Sequence, residues 1–332
     1  MKKIKIALLG VGHLGKFHLN CIKMTPELEL VGCYDANEKT AQKLSEEHQI
    51  PFFKDIDELI ALADAVDIVT PTTTHFALAK KAIEAKKHIF IEKPVTETVE
   101  EAEYLLEQSR NLGLKIQVGH VERFNPALLA IADIPLNPLF VEAHRLAIFN
   151  PRGTDVSVVL DLMIHDLDIV LSIVKSKVKT IHASGVPIVS KTSDIVNARI
   201  EFENGCVANL TASRISMKNM RKVRLFQRDA YFSLDFMEKN AQAIRLFDAD
   251  SPDAPEDFLM EIETATGTKR IHASMPEVEA SNAIQMELAS FAKSILYDLP
   301  PKVDISDGYE ALKVAYLIEE DVQKRMAEQQ VG

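Results

Sequence analysis

Short apolar runs alternate with stretches of helical periodicity through the first 120 residues. The apolar runs 4–9, 28–34, 66–70, 88–92 and 115–119 predict strands. Between them, apolar residues recur with the 3.6-residue period over 13–24, 38–48, 57–63, 76–85 and 98–112, which predicts helices. A strand–helix–strand alternation of this kind implies a parallel sheet covered by helices on both faces. The pattern breaks over 120–155, where Pro126, Pro135, Pro138 and Pro151 fall, and the domain joint is expected there. A helix is then expected from Asp155 to about Val174, with Thr154 or Asp155 as its cap. Strand-like runs follow at 180–189, 194–203, 206–213, 222–227 and 231–236, with Asn204-Gly205 marking a tight hairpin, because both residues tolerate positive φ. Two helices, 283–297 and 307–328, end the chain. The expectation is thus an α/β protein: a doubly wound parallel domain over 1–122, and an α+β domain with a mainly antiparallel sheet over 123–332.

The first strand runs into Gly10-Val11-Gly12-His13-Leu14-Gly15, and Asp35 closes the next strand 20 residues after Gly15. A strand, a GxGxxG turn, a helix and a later acid together form the dinucleotide fingerprint. The first glycine makes the turn, the second admits a pyrophosphate to the backbone, and the third lets helix and sheet approach. The free N–H groups of the helix N-terminus face the anion. A carboxylate at Asp35 suits the two ribose hydroxyls of NAD and repels a 2′-phosphate, although Lys39 nearby leaves NADP open.

The charge balance, 38 basic against 49 acidic residues for a net −11, argues against general nucleic-acid binding. Cys21, Cys33 and Cys206 are too few and too scattered for a disulfide framework or a zinc motif, which fits a reducing cytoplasm. The basic start MKKIKIALLG reads as a first strand, because its apolar run is too short for a leader. No apolar run reaches the roughly 18 residues of a membrane span. No metal site is expected, since His88, His120, His144 and His182 show no convergent pattern.

Two groups of residues carry candidate chemistry. Glu92-Lys93-Pro94 ends a strand of the parallel sheet, where ligands bind beyond the carboxyl ends. Asp161, His165 and Asp168, at i, i+4 and i+7, share a helix face, and Asp166 points elsewhere. Oxidation of a hydroxyl needs a base and a cation beside the developing alkoxide. His165 suits the first role, Lys93 the second, and Asp161 can orient the histidine or hold a substrate hydroxyl; local capping or packing is the alternative for this trio. The segment from Arg214 to Arg228 holds six basic residues and no acid. Arg214 and Arg221 are thereby candidates for a substrate diphosphate, or for strand and subunit salt bridges. Arg123 and Asn125, just past the last predicted strand of the parallel sheet, are candidates for substrate contact or for tying the domains together.

The GVGHLG turn, Asp35, Thr70-Pro71-Thr72-Thr73-Thr74-His75, the EKP at 92–94 and the D-x3-H of Asp161 and His165 together resemble the Gfo/Idh/MocA oxidoreductases. The similarity extends through DIVNARIEFENGCVANLTASR at 194–214 and DFMEK at 235–239. It implies NAD-dependent hydride transfer at a sugar hydroxyl, with Lys93, Asp161 and His165 as the catalytic set. It also implies that Thr70, Pro71 and His75 lie beside the nicotinamide, and that the open sheet makes a homodimer or homotetramer. The family often has a glycine where this chain has Met163, a departure that suggests a stiffer helix. VGHVERFNPAL at 118–128 with DLMIHDLD at 161–168 is similar to a subgroup of UDP-N-acetylglucosamine 3-dehydrogenases. The alternatives are a free polyol or simple-sugar dehydrogenase, a glycosidase using transient oxidation by NAD, and a non-catalytic NAD-binding regulator.

Overall fold

The computed structural model describes residues 2–150, 156–252 and 254–331. In chain order, the first elements are β1 (Ile4–Leu9), α1 (His13–Met24), β2 (Leu28–Tyr34), α2 (Glu38–His48), α3 (Ile56–Leu62) and β3 (Ala65–Ile68). They continue with α4 (His75–Glu84), β4 (His88–Glu92), α5 (Val99–Leu112) and β5 (Ile116–Gly119). Then come a short helix α6 (Pro126–Leu129), β6 (Phe140–Leu146), a π-helical turn Val159–Met163 and α7 (Ile164–Val174). Strands β7 (Val178–Val186), β8 (Ile195–Phe202), β9 (Val207–Ser213), β10 (Met220–Phe226) and β11 (Ala230–Asp235) follow. The run of strands ends with β12 (Asn240–Asp248), β13 (Met260–Thr264) and β14 (Gly267–Ser274), and α8 (Ala283–Leu296) and α9 (Ile305–Val331) close the chain.

The described chain divides into two compact units, one holding the residues up to Phe124 together with Asn282–Lys313, the other holding Asn125–Ser281 and the residues from Val314. A single boundary after residue 122 therefore places α8 on the wrong side: it belongs with the parallel sheet. The reason is visible in its apolar face. Leu288, Phe291 and Ala292 join the core formed by Ile4, Ile6 and Leu8 of β1 and Leu19 and Ile22 of α1. Phe90 and Phe291 meet edge to face, with ring centroids 5.9 Å apart.

The first unit has a five-stranded parallel sheet in the order β2-β1-β3-β4-β5. Ile6, Ala7, Leu8 and Leu9 of β1 are all fully buried, as expected for a parallel strand covered on both faces. Two helix ends show the sequence acting locally. Thr98 and Glu101 form a reciprocal capping box on α5, and Gly113 ends that helix at φ 64°.

The second unit has a nine-stranded sheet in the order β13-β14-β12-β11-β10-β6-β9-β8-β7. Among the described residues, only β6 and β9 of this sheet pair in parallel; the other pairs are antiparallel. β8 shows how the sheet meets its core: Val196, Ala198, Ile200 and Phe202 are buried, while Asn197 and Arg199 between them are exposed. Val170 and Ile173 of α7 and Ala315, Ile318 and Val322 of α9 fill the same core.

Two differences from the sequence reading stand out. The central strand β6 lies in the proline-bearing segment read as irregular, and β12, β13 and β14 extend the sheet beyond the last predicted strand. The hairpin expected at Asn204-Gly205 is present: the Phe202 N–H reaches the Cys206 carbonyl across a three-residue loop in which Gly205 has φ 86°. The helix expected from Asp155 starts with the π-helical turn, and its predicted caps Thr154 and Asp155 lie outside the described residues.

Candidate functional site: a dinucleotide cleft and an acid–histidine helix

Gly10 turns the chain out of β1 at φ 94°, where a Cβ would lie 2.6 Å from the Val69 carbonyl oxygen. A Cβ on Gly15 would collide with the Gly10 carbonyl, so only glycine lets α1 sit this close to the turn. Gly12 faces open space, which leaves room for a phosphate against its backbone. At the end of β2, Asp35 accepts the Val11 N–H (2.9 Å) and the Asn37 N–H (2.8 Å), one on each carboxylate oxygen. These bonds fix the carboxylate beside the glycine turn and leave each oxygen a further lone pair for a ribose hydroxyl.

A cleft of about 630 Å³ opens over these groups. Among residues expected from sequence, Gly10, Gly12, Leu14, Asp35, Thr70, Pro71, Glu92 and Lys93 line it. Its volume, glycine floor and ribose-directed acid fit a dinucleotide. Tyr34, Ala36, Val69, Thr74 and Leu78 complete the lining and were not anticipated. Their signal is positional: Tyr34 and Ala36 flank Asp35, and Thr74 and Leu78 lie one and two helical turns beyond Thr70.

Three expected cofactor residues do not line the cleft. Gly15 is buried under the turn, and His13 is exposed and packs edge-on against Phe17. His75 is buried behind the wall, its ring nitrogens 2.9 Å from both the Thr70 and the Pro94 carbonyl oxygens. Burial lowers its pKa, with the two carbonyls opposing. A neutral ring donates to one carbonyl at a time. His75 thus ties the Thr70 loop to the EKP loop from behind rather than touching a ligand.

Below the cleft, sequence reasoning missed a buried polar cluster. His18 Nδ1 lies 2.9 Å from Asp67 Oδ2, and His18 Nε2 lies 3.1 Å from Glu92 Oε1. Glu287 of α8 joins them, one ligand-type atom from each of His18, Glu92 and Glu287 falling within 4.8 Å of the others. His18, Asp67 and Glu287 are fully buried. Burial alone would lower the His18 pKa, but Asp67 and Glu92 hold it well above its ordinary value. Burial raises Glu287 well above the usual carboxylate range, and the charge of Glu92 adds to this. One signal was available: Asp67 is an acid within the apolar run Ala65–Ile68.

In the second unit, Ser157 Oγ accepts the Val159 and Leu160 N–H groups and so caps the π-helical turn. Glu319 of α9 holds the Ser157 hydroxyl. Met163 is fully buried in the core and ends a wider π turn that carries Asp161, with His165 in the first turn of α7 just beyond. Asp161 and His165 are half-buried, whereas Asp168 is 1% exposed and does not share their access to solvent. Asp166 points into the core, where its Oδ1 accepts from Arg145 Nε (3.1 Å) and Nη2 (2.8 Å). This buried pair anchors α7 to β6.

The expected substrate residues make contacts within their own units. Arg123 Nη2 is 3.4 Å from Asp307 within the first unit. Asn125 caps α6 through the Ala127 N–H and donates to the Phe236 carbonyl. Arg214 is 6% exposed, donates to the Val156 carbonyl and lies 3.9 Å from Asp194. Arg221 is exposed on β10, and in the same basic stretch Lys222 pairs with Asp235 (3.1 Å) and Arg224 with Glu142 (3.4 Å). Both are cross-strand salt bridges within the sheet. No described helix is long and apolar enough to cross a membrane.

Comparison with known proteins places this geometry. Residues 4–120 match the oxidoreductase family with an NAD-binding Rossmann fold, and residues 143–229 match the Gfo/Idh/MocA C-terminal domain. The chain is 40% identical over 238 residues to a UDP-N-acetylglucosamine 3-dehydrogenase of Acidithiobacillus ferrooxidans, covering 71% of this chain and 75% of that protein. A crystal structure of the enzyme of that name from the same organism superposes with a TM-score of 0.87 at 33% identity, over 98% of this chain and 99% of that one. A scyllo-inositol 2-dehydrogenase (NAD(+)) of Bacillus subtilis is 30% identical over 64% of this chain and 68% of its own length. Residues 4–120 are therefore the NAD-binding Rossmann part of an oxidoreductase, and this chain belongs to the Gfo/Idh/MocA family.

Proposed function

We propose that the substrate is a nucleotide sugar, UDP-N-acetylglucosamine, oxidised at its 3-hydroxyl, with the free polyol as the alternative substrate. The observation that carries this reading is the 40% identity to a UDP-N-acetylglucosamine 3-dehydrogenase, against 30% to an inositol dehydrogenase. Bound NAD supplies the hydride acceptor. His165 takes the proton of the reacting hydroxyl, Asp161 orients the imidazole, and Lys93 stabilises the negative charge that builds on the oxygen. Asp35 holds the adenosine ribose, and the backbone at Gly12 holds the pyrophosphate.

The open face of the nine-stranded sheet is the proposed surface for a homodimer or homotetramer. Phe140, Phe226 and Tyr231 form an aromatic cluster there, with centroids 5.9 and 4.9 Å apart, and Phe226 is 37% exposed.

The experiment is NADH formation followed by absorbance with UDP-N-acetylglucosamine, UDP-glucose, myo-inositol and glucose. Turnover with the UDP-amino sugar is expected. It should fall about 100-fold or more in Lys93→Ala and His165→Asn, with NAD still bound. Turnover with inositol and none with the nucleotide sugar would refute the substrate assignment.

A further inference from the structure

We propose that the buried cluster of Asp67, His18, Glu92 and Glu287 sets one net negative charge beneath the nicotinamide half of the cleft, and so favours binding of the oxidised over the reduced cofactor. The inference rests on the cleft assignment above and is independent of the sugar.

The charge count follows from geometry. His18 Nδ1 is hydrogen-bonded to Asp67 Oδ2 at 2.9 Å, and its Nε2 lies in ion-pair contact with Glu92 Oε1 at 3.1 Å without hydrogen-bond geometry. Two carboxylates in contact with one buried ring favour its imidazolium form. Neither oxygen of Glu287 has a hydrogen-bond partner among the described residues, and the side chain is fully buried. An ionised carboxylate left in that state would be prohibitively costly, so Glu287 is the neutral acid. Two carboxylates, one imidazolium and one neutral acid leave a charge of −1.

Glu92 brings that charge to the cleft. It alone of the four lines the cleft. Its Oε2 also accepts the Lys93 N–H at 3.2 Å. Gly119 makes room for the carboxylate, since a Cβ there would lie 2.6 Å from Glu92 Oε1. The strand order β2-β1-β3-β4 separates the ends of β2 and β4 by three strand spacings, or about 14 Å. With the adenosine ribose on Asp35 at the end of β2, the nicotinamide half falls towards β3 and β4, where Glu92 stands. The oxidised ring carries a positive charge and the reduced ring none. A carboxylate within about 8 Å, at an effective dielectric constant of about 20, discriminates between them by on the order of ten-fold or more.

The test is direct binding without sugar: calorimetric titration with NAD and fluorescence titration with NADH. Glu92→Gln should lower the preference for NAD over NADH about ten-fold, and Glu92→Asp, which keeps the charge, should retain most of it. Glu287→Gln, an isostere of the neutral acid, should leave the ratio within two-fold of wild type. A Glu92→Gln ratio unchanged within two-fold, or a Glu287→Gln shift as large as that of Glu92→Gln, overturns the proposal. Should the Gln variants not fold, ¹⁵N spectra of the wild-type histidines carry the decision: both His18 nitrogens protonated at pH 8 is expected, and a neutral ring overturns the charge count. Gly12→Val should weaken both cofactor forms together; unchanged affinity for both would bring down the cleft assignment, and this inference with it.

Discussion

The Arg145–Asp166 pair is where a single truncation should do the most damage to the element that carries His165. Both side chains are 3% exposed, and the closest approach is 2.8 Å. At that distance and an effective dielectric constant of about 20, the Coulomb attraction is about 6 kcal/mol. Desolvation of the two ions costs several kcal/mol each, so the intact pair contributes little net stability. Removing one partner is different. Arg145→Met leaves the Asp166 carboxylate buried between β6 and α7 without its guanidinium, which should cost about 3–5 kcal/mol. Replacing both, as Arg145→Met with Asp166→Leu, removes the stranded charge and should recover most of that loss. With a urea slope of about 2–3 kcal/mol/M, the single variant's midpoint should fall by about 1–2 M. The chain has no Trp, so the assay is circular dichroism at 222 nm across a urea series. A loss below about 1 kcal/mol in Arg145→Met, or a double variant no better than the single one, would show that the pair does not anchor α7.

Two further substitutions test the buried acids through pH. Glu287 has a raised folded pKa, so the folded state binds a proton that the unfolded state releases above about pH 4.3. Wild-type stability should then fall as pH rises above that value, by up to about 1.4 kcal/mol per pH unit, until the folded group itself ionises. Glu287→Gln should flatten this slope in urea melts between pH 5 and 9, and an unaltered slope would contradict a neutral Glu287. Asp194 titrates the other way. Burial pushes its pKa up, but the Ser190 side chain and the N–H groups of Ser190, Val189 and Ile188 outweigh this and hold it far below the usual range. Its contribution is present above about pH 4 and lost as pH falls towards the folded pKa. Asp194→Asn should cost about 2 kcal/mol at pH 7 and progressively less below pH 4; an equal cost at pH 7 and pH 3 would refute the assignment.

How much was legible in the sequence depended on the range of the interaction that fixed each feature. The strands of the parallel sheet, the glycine turn and Asp35 are set by patterns within about 35 residues, and each lies where periodicity and turn chemistry predict. Helix α8 could not be assigned to its unit this way. Its apolar stripe specifies that it buries a face, not which core receives it, and the answer lies in Leu288 and Phe291 meeting residues of β1 and α1 more than 260 positions earlier. Strand β6 was hidden for another reason: Pro135 and Pro138 suggested a loop, yet the regular pairing of Phe140–Leu146 begins immediately after them.

The same division runs through the site. The residues of the cleft wall were named by motif, but the motif does not separate ligand-facing groups from those that hold them in place, and His75 has the second role. The Asp161–His165 spacing was read on an ideal α-helix, whereas Ser157, Glu319 and the buried Met163 shape a π turn there. The cluster beneath Glu92 lay furthest from sequence reasoning. His18, Asp67 and Glu287 each have a local explanation, as a helix residue after the glycine turn, an acid in a strand and an acid in an apolar helix. Their chemistry exists only because α1, β3, β4 and α8 converge. A buried acid in an apolar strand costs too much to be an isolated feature. Read that way, Asp67 was evidence in the sequence for a partner not yet found, and His18 at 2.9 Å is that partner.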